Sequence, residues 1–380
     1  MKIAIVAGEA SGDQLAAGLI AEIKARHPDA VIYGIAGDKM VAAGCEQRFL
    51  MDVLSVMGFV EVLGKLREIL KVRKAFFKQL IADPPDVFVG VDAPDFNFPL
   101  ERKLKERGIK TIHYVSPSVW AWRQKRVKKI ARSIDLMLTL FPFENALYEK
   151  YNARAQFVGH PLADMIPVEG DRLKARKALG LEADSLIIAL LPGSRKMEVQ
   201  RLTRPFMLTA RLLRKRYPHA VFISPLANAK TEEMFRATID LVAPEIDVKI
   251  YRKQSQQVLT ACDTVLLASG TAALEAMLVN RPMVVSYKFS TLTTWIISAF
   301  RLIKVDHVSL PNHLAGKNIV DEVLHQAATP ENLYDAMIKL MTDKKRQQDL
   351  QVTFTKIHKQ LKQNASQQAC AAVLSMIGKS

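Results

Sequence analysis

Hydrophobic positions follow two alternating patterns along the first part of the chain, and each pattern predicts one kind of element. Lys2–Ala7 is a short apolar run of the kind that forms a buried strand, and residues 13–26 carry apolar side chains at helical spacing. Because strands that alternate with helices are joined by right-handed crossovers, we expect an α/β unit with a parallel sheet. Further short apolar runs predict strands at residues 31–35, 87–91, 110–114, 136–140 and 156–158.

The alternation breaks near Gly159-His160-Pro161 and starts again after residue 170. A chain of 380 residues exceeds one ordinary core. The predicted architecture is therefore two Rossmann-like domains, residues 1–165 and 166–342. A polar helical tail, residues 343–380, is expected to complete the first domain. Strands of the second domain are predicted at residues 185–191, 221–224, 248–251, 264–267 and 283–287, with a long helix at 197–217.

Composition adds that the chain folds and is strongly basic. Hydrophobic residues make up 49% and charged residues 24%, which is typical of a folded domain. Lys and Arg number 54 against 38 Asp and Glu, giving a formal net charge of +16. A positive surface attracts nucleic acid, anionic lipid or phosphorylated substrates, and charge alone does not choose among them.

Cysteine usage and the amino terminus favour the cytoplasm as the location. Cys45, Cys262 and Cys370 are odd in number and have no metal-ligand spacing, so they predict neither a disulfide framework nor a metal site. The apolar start is too short for the core of a signal peptide. The sequence has no apolar run of the roughly 18 residues that crossing a bilayer requires.

Asp92 is the first candidate for chemistry, because it follows the apolar run at residues 87–91. Pro94 prevents that strand from continuing, so Asp92 should lie at the carboxyl edge of the sheet. Ligands of open α/β sheets bind outside the carboxyl ends of strands. An Asp before Ala-Pro also closes turns, and Asp95 has the position of a helix cap, so a structural interpretation stays open.

Two loops in the second half have the form of phosphate sites. Pro192-Gly193-Ser194-Arg195 lies between a predicted strand and a helix, where backbone amides and a guanidinium favour an anion. The alternative is a tight turn with a surface arginine. Ser269, Gly270, Thr271 and Ala272 repeat the design with little side-chain bulk, and Glu275 follows one helical turn later. The alternative there is an ordinary helix cap.

The sequence lacks the motifs that identify several classes of nucleotide-binding protein. The sequence has neither a Walker A motif nor a Gly-x-Gly-x-x-Gly fingerprint, which disfavours nucleoside triphosphatases and dehydrogenases. It has no Asp-x-Asp triplet of the kind that metal-dependent glycosyltransferases carry. We therefore expect no metal and no cofactor, with helix dipoles and basic side chains stabilising a leaving diphosphate.

Together these segments resemble the lipid-A-disaccharide synthase family, two-domain glycosyltransferases of the GT-B fold. The resemblance implies that the two Rossmann-like domains face each other across a cleft. Six motifs in the same order span nearly the whole chain, so agreement by chance is implausible. The motifs are residues 6–13 (VAGEASGD), 90–97 (GVDAPDFN), 112–123 (IHYVSPSVWAWR), 191–195 (LPGSR) with Glu198, 268–275 (ASGTAALE), and 309–312 (SLPN) with Ala315 and Gly316.

The resemblance implies an inverting transfer of 2,3-diacylglucosamine from its UDP derivative to 2,3-diacylglucosamine 1-phosphate. The products are the β-1,6-linked disaccharide 1-phosphate of lipid A and UDP. Direct inversion needs a base for the acceptor hydroxyl and a stabilised leaving group.

The resemblance also implies roles for individual residues. Asp92 would be the general base, Arg195 would hold the UDP phosphates in catalysis, and Asn312 would serve the active site in an undefined way. His313 stands where an aliphatic residue is expected, and we assign it no role. The UDP-binding residues implied are Ser194, Arg195, Glu198, Ser269, Gly270, Thr271, Ala272 and Glu275, and those of the acceptor side are Glu9, Ser11, Gly12, Trp122 and Arg123.

Both implied substrates carry acyl chains, so we expect the enzyme to meet the cytoplasmic face of the inner membrane as a peripheral protein. Residues 59–78 join dense apolar positions to Lys and Arg, which suits an anionic lipid interface. A core-facing helix with a solvated basic side gives the same pattern. The apolar positions expected to contact lipid are Val62, Leu63, Leu66, Ile69 and Leu70.

The sequence leaves the role of two tryptophans open, and two other functions compete with the one that the resemblance implies. Trp120 and Trp122 with the basic residues after them suit an interfacial anchor, a site for the acceptor phosphate, or packing. Another UDP-sugar enzyme, such as a UDP-N-acetylglucosamine 2-epimerase, would share the fold and need no lipid. A nucleic-acid-binding protein would explain the charge, but the sequence carries no recognisable binding module, so we expect no nucleic-acid partner.

Overall fold

The computed structural model describes residues 1–54, 59–119, 126–288 and 307–379, and for residues 59–63 it describes the backbone alone. The chain divides into two compact units. The first comprises Met1–Asp164 and Leu361–Ser380, and the second comprises Met165–Gln360. Each unit contains one parallel sheet with helices between its strands, which confirms the predicted α/β fold class with two Rossmann-like parts.

The first sheet has seven strands in the order β3-β2-β1-β4-β5-β6-β7. Its central strands are continuous apolar runs, as expected of a parallel sheet that helices cover on both faces. The strand order reverses between β1 and β4, so the crevice at that point is where α/β sheets of this kind bind ligands. The strands are β1 (Lys2–Ala7), β2 (Val31–Ala36), β3 (Glu46–Leu50), β4 (Val87–Val91), β5 (Lys110–Tyr114), β6 (Leu136–Thr139) and β7 (Ala155–Phe157).

Helices cover both faces of this sheet. On one face, Leu19 and Ile23 of the first helix pack into a core with the sheet. On the other face, Phe76 and Leu80 pack with Leu100. The helices of this unit are α1 (Ala10–Arg26), α2 (Asp38–Ala42), α3 (Phe59–Ala82), α4 (Pro94–Lys105), α5 (Val127–Ser133) and α6 (Pro142–Glu149), and α7 (Pro161–Met165) leads into the second unit.

The second sheet has six strands in the order β10-β9-β8-β11-β12-β13, and its order reverses between β8 and β11. The strands are β8 (Ile187–Leu191), β9 (Val221–Leu226), β10 (Val248–Arg252), β11 (Thr264–Ala268), β12 (Met283–Tyr287) and β13 (Asp321–Leu324). The helices are α8 (Arg172–Ala178), α9 (Lys196–Arg216), α10 (Ala229–Val242), α11 (Ser255–Ala261), α12 (Thr271–Leu278), α13 (Leu310–Ala315), α14 (Pro330–Thr342) and α15 (Lys344–Leu361).

The structure adds two strands that the apolar pattern did not predict. β3 and β13 are the outer strands of their sheets, and neither is made of fully buried residues. An edge strand needs less apolar surface because it pairs on one side only, so the pattern is weak there. In addition, α1 begins at Ala10, so Ser11 and Gly12 belong to its first turn rather than to a preceding loop.

The carboxyl-terminal segment differs from the expectation that residues 343–380 complete the first unit as a whole. The segment forms two helices, α15 and α16 (Ala365–Met376), and α15 lies almost entirely in the second unit. The backbone turns at Asn364, where φ is 56°. The amides of Asn364 and Ala365 then donate to the carboxylate of Asp164. α16 packs on the first unit, where it places Ala369, Val373 and neighbouring apolar residues in the core with α1.

Among the described residues, every helix is too short or too polar to span a bilayer.

Candidate functional site

Asp92 lies immediately after β4, at the carboxyl edge of the first sheet beside the reversal of strand order. Its backbone amide donates to the carbonyl oxygen of Tyr114 at 2.9 Å, which holds the turn against β5. Asp92 and Ala93 have φ values of 53° and 43°, a region that non-glycine residues enter at a cost. The side chain of Asp92 is half-buried, so its carboxylate lies at the surface of this edge.

The turn between β1 and α1 packs directly against the Asp92 turn, because β1 and β4 pair through Ala7 and Val91. A Cβ atom on Gly8 would lie 2.5 Å from the Cβ of Ala93, so only glycine fits this approach. The structure thereby brings together Asp92 and the predicted acceptor-side residues of the first turn. These are Glu9 and Ser11, both exposed, and Gly12, which is buried against the Val91 carbonyl.

Asp95 does not cap α4, contrary to the structural interpretation of this motif. The capping position is Ala93, and Asp95 is one of the first residues inside the helix. Its side chain is 97% exposed, and the guanidinium of Arg126 lies 3.6 Å from its Oδ1. Asp95 is therefore a surface residue of the first turn of α4, where its charge complements the helix dipole.

The second unit contains a cavity of about 340 Å³ at the carboxyl edge of its own sheet. Loops after β8 and β11 form most of its wall, again beside the reversal of strand order. All eight residues expected to bind UDP line this cavity, namely Ser194, Arg195, Glu198, Ser269, Gly270, Thr271, Ala272 and Glu275. The cavity therefore combines the two loops that the sequence identified separately.

The loop after β8 differs from the expected cradle of open backbone amides. The Oε2 atom of Glu198 accepts from the amides of Ser194 at 3.1 Å and Arg195 at 3.2 Å. Gly193 has a φ of 125°, and a Cβ there would lie 2.4 Å from the Cβ of Glu198. The Arg195 side chain is 84% exposed, with Nη1 3.8 Å from Glu198 Oε1. This loop thus presents a guanidinium, while its amides are bonded to Glu198.

In the loop after β11, the amide of Ser269 donates to the carbonyl oxygen of Ser286, and the available amides are those at the start of α12. Gly270 has a φ of 154°, and no described atom would lie within 4 Å of a Cβ there. Thr271 and Ala272 are the first residues of α12, and by position their amides have no acceptor within the helix. The hydroxyl of Ser269 donates to the carbonyl of Val308. This helix start has the geometry that favours an anion.

Glu275 lies one turn into α12 and faces the same cavity. Its Oε2 atom accepts a hydrogen bond from the hydroxyl of Ser255 at 2.8 Å. Burial raises the pKa of the Glu275 carboxyl, and the Ser255 hydroxyl opposes that change. A carboxyl in this position can accept hydrogen bonds from vicinal hydroxyls such as those of a ribose.

The cavity also includes residues that sequence reasoning missed, notably Lys253, Ser255 and Tyr287. Lys253 follows β10 with a φ of 57° and carries an exposed ammonium. Tyr287 is the last residue of β12. Each of these residues lies at or just beyond the carboxyl end of a strand or opens the helix that follows. That shared position was the available signal in the sequence.

Asn312 does not face the cavity, although the family resemblance implied an active-site role. It is fully buried in α13, and its Oδ1 accepts from the amides of Ile319 and Val320. Its Nδ2 donates to Glu322 at 2.8 Å. Glu322 also accepts from the amide and hydroxyl of Ser309. Asn312 therefore fastens α13 to β13, and the segment before α13 in turn contacts Ser269 through Val308.

Several predicted contact residues fall outside the description or differ from expectation. Trp122 and Arg123 lie outside the described residues, as do the side chains of Val62 and Leu63. On α3, Leu66 and Leu70 are 41% and 42% exposed, whereas Ile69 packs partly against the core. The amphipathic helix thus places Leu66 and Leu70 outward and Ile69 inward.

Comparison with known proteins identifies the sequence family. A family model described as lipid-A-disaccharide synthetase matches residues 3–373. A curated lipid-A-disaccharide synthase from Aliivibrio fischeri is 49% identical over 379 residues, which cover 100% of this chain and 98% of that protein.

Solved structures share the fold at low identity. UDP-GlcNAc 2-epimerase from Neisseria meningitidis bound to UDP-GlcNAc has a TM-score of 0.67 at 13% identity, covering 99% of this chain and 100% of that chain. A ugt transferase from Siraitia grosvenorii in complex with UDP has a TM-score of 0.60 at 11% identity, covering 100% of both chains. Because the family model spans nearly the whole sequence and a relative is 49% identical throughout, this chain belongs to the lipid-A-disaccharide synthetase family.

Proposed function

We propose that this protein is a glycosyltransferase that makes the lipid A disaccharide. It transfers 2,3-diacylglucosamine from UDP-2,3-diacylglucosamine to 2,3-diacylglucosamine 1-phosphate and releases UDP. The observation that carries the proposal is the match to the synthetase family over residues 3–373. The cavity between the loops after β8 and β11 supports the donor half of the reaction, since it offers an arginine, a helix start and a carboxylate together.

In the proposed mechanism, the acceptor hydroxyl attacks the anomeric carbon of the donor as its proton passes to Asp92. The bond from that carbon to the diphosphate breaks, and both electrons leave with UDP. Asp92 suits the base because it lies at a carboxyl edge with its side chain only half-buried. A correctly placed general base contributes about 10²- to 10⁴-fold to a rate.

The leaving diphosphate needs stabilisation that requires no covalent step. We assign this to the Arg195 guanidinium and to the amides at the start of α12, and we assign the ribose hydroxyls to Glu275. Preorganised donors of this kind act most strongly on charge that develops in the transition state. Asn312 contributes indirectly, by fastening the segment whose Val308 carbonyl holds the Ser269 hydroxyl.

Product analysis by thin-layer chromatography and mass spectrometry tests this function. The purified protein is incubated with UDP-2,3-diacylglucosamine, with and without 2,3-diacylglucosamine 1-phosphate. We expect UDP and the disaccharide 1-phosphate to form only when the acceptor is present. An isomerised UDP-sugar formed without acceptor would instead identify a UDP-sugar epimerase, which shares this fold at 13% identity.

We also propose that the protein reaches its substrates as a peripheral protein at the cytoplasmic face of the inner membrane. Leu66 and Leu70 on α3 are exposed, and exposed lysines and arginines flank them on the same helix. Exposed leucines beside cations suit an interface with anionic lipid. The cations near these leucines are Lys65, Arg67, Lys71 and Lys74.

A flotation assay with vesicles that contain anionic phospholipid tests the membrane proposal. Leu66→Ser with Leu70→Ser should reduce the fraction that floats, because both side chains would lose their apolar contact with lipid. The matched control is Leu241→Ser with Val352→Ser, two exposed apolar residues of the second unit. Equal flotation of both double variants would contradict the assignment to α3. Ile69 is left unchanged because it packs partly against the core.

A further inference from the structure

The strained turn at Asp92 is held from below by one buried side chain. The Nδ2 atom of Asn97 donates to the carbonyl oxygen of Asp92 at 2.8 Å. Asn97 lies on the first turn of α4 and is 0% exposed. Because Asp92 and Ala93 both have positive φ values, the turn persists only where its surroundings fix it. The Asn97 side chain fixes the turn from α4 through its hydrogen bond to the Asp92 carbonyl.

Asn97 is itself wedged between α4 and β4. A Cβ atom on Gly90 would lie 2.9 Å from the Cγ of Asn97 and 2.2 Å from the Oε1 of Glu101. Asn97 and Glu101 are one helical turn apart, so both rest on the bare backbone of Gly90. The missing side chain at Gly90 is therefore what admits the two polar residues beneath the turn.

The lower residue of this pair is locked in place by the neighbouring strand. Glu101 Oε1 lies 2.7 Å from Nδ1 of His113, and both side chains are 0% exposed. His113 is the residue on β5 that pairs with Gly90 on β4. The ring of Phe98 packs on the His113 ring with 4.3 Å between centroids. The His113 contact thus holds Glu101 against the Gly90 backbone, on which Asn97 also rests.

We propose that Asn97 is a positioning residue for Asp92, and that Gly90, Glu101 and His113 form the platform that keeps it in place. The inference rests on the proposed role of Asp92 as the base. Asn97 fixes the carbonyl of Asp92, and hence the direction in which the carboxylate leaves the turn. Geometry of this precision matters because small misplacement of a reacting group costs large factors in rate.

The test is a double-mutant cycle that combines Asn97→Ala with Asp92→Asn, read as kcat for disaccharide formation. Asn97→Ala should lower kcat at least tenfold when Asp92 is present. In the Asp92→Asn background, where residual turnover is followed at raised enzyme concentration, the same change should lower it less than twofold. A merely structural role for Asn97 would lower both backgrounds by the same factor, and that result would overturn the inference.

Two further variants keep the test decisive if Asn97→Ala is unstable. Gly90→Ala pushes on Asn97 and Glu101 and should reproduce the loss in kcat. Thr111→Val is the matched control, because it removes a buried hydroxyl that bonds to Asp135 at the opposite end of β5. It should destabilise the same unit and leave kcat within twofold of wild type. Wild-type kcat in Gly90→Ala would contradict the platform.

UDP affinity by calorimetry separates this inference from the proposed function. The UDP cavity lies in the second unit, so its affinity should be unchanged in Asn97→Ala and Gly90→Ala. Near wild-type turnover in Asp92→Asn would reject the base assignment and the inference with it. An inactive Asp92→Asn together with a fully active Asn97→Ala would reject the inference alone.

Discussion

The two units place their candidate sites at equivalent points of their sheets and give them opposite chemistry. In the first, the reversal between β1 and β4 carries a carboxylate, Asp92, on a turn braced by buried polar groups. In the second, the reversal between β8 and β11 carries Arg195 and the start of α12 around a cavity. The same α/β crevice therefore suits a proton acceptor in one unit and an anion in the other.

The two units differ in the residues that hold the carboxyl edge of the sheet in place. The first unit holds its edge with titratable side chains that are almost fully buried, such as Glu101, Glu144 and His160. The second holds its edge with glycines, where Gly193 and Gly270 take backbone conformations closed to other residues. The buried polar brace fixes one direction at Asp92, whereas the loop at Gly270 leaves room for a phosphate to approach the backbone.

The largest expected effect comes from removing the basic group of the first unit. Asp92→Asn keeps the shape of the side chain and should lower kcat by about 10²- to 10⁴-fold, with UDP affinity unchanged. Steady-state kinetics with both glycolipid substrates measures this. Asp95→Asn is the control, since that side chain is 97% exposed and should leave kcat near wild type. If Asp92→Asn and Asp95→Asn lowered kcat equally, the assignment of Asp92 as the base would be contradicted.

A smaller effect is expected at the cation of the second unit. Arg195→Ala should weaken UDP binding by about 10- to 100-fold, because a charge-assisted hydrogen bond to phosphate is lost. Isothermal calorimetry with UDP measures the change directly. Arg236→Ala is the control, because Arg236 pairs with Glu232 on α10 outside the cavity. Unchanged affinity in Arg195→Ala would mean that the amides of α12 bind the diphosphate without it.

The smallest effect concerns the pH dependence of stability, to which a buried histidine of the first unit should contribute. Burial lowers the pKa of His160 from 6.5 to about 4. The unfolded chain therefore binds this proton more readily, and stability falls as pH drops from about 6.5 towards 4. At pH 5.5 the loss is about 1.4 kcal/mol, or about 3 °C in Tm. His160→Gln should abolish this part of the loss in thermal unfolding scans.

Glu144 provides a control of opposite sign in the same unit. Burial raises the pKa of its carboxyl from 4.5 to about 8, so the folded state retains a proton that the unfolded chain releases. Its contribution to stability is present below pH 4.5 and is lost as pH rises towards 8. Glu144→Gln should therefore flatten the alkaline side of the profile and leave the acid side. Identical profiles in the two variants would contradict both assignments.

The sequence predicted the features that depend on strong local signals. The apolar run at 87–91 ends where Pro94 forbids a strand, and that alone located Asp92 at the sheet edge. The glycine loops after β8 and β11 were predicted on the same basis. The edge strands β3 and β13 were missed because they are short and only partly buried. The apolar pattern of a sequence indicates buried strands, and these two edge strands have few buried side chains.

Features that depend on which side chain reaches which atom were not predicted. Glu198 takes the amides of Ser194 and Arg195, which the sequence presented as open phosphate donors. Asn312, to which the family resemblance gave an undefined active-site role, ties α13 to β13. Asn97 lay within a quoted motif without a role until its bond to Asp92 was seen. The bonds of Asn312 and Asn97 follow from tertiary packing, which residue spacing does not encode. The Glu198 contact is a capping box at the start of α9, and its three-residue spacing was a local signal that sequence reasoning missed.

The return of α16 to the first unit has a consequence for synthesis on the ribosome. A Cβ atom on Gly18 in α1 would lie 2.5 Å from the Oγ of Ser366, so residues from opposite ends of the chain are in close contact. The first unit therefore cannot complete its core until α16 has left the exit tunnel. The second unit is continuous in sequence and can close earlier. The first unit should therefore finish folding after the second, and part of α1 stays uncovered until α16 reaches it.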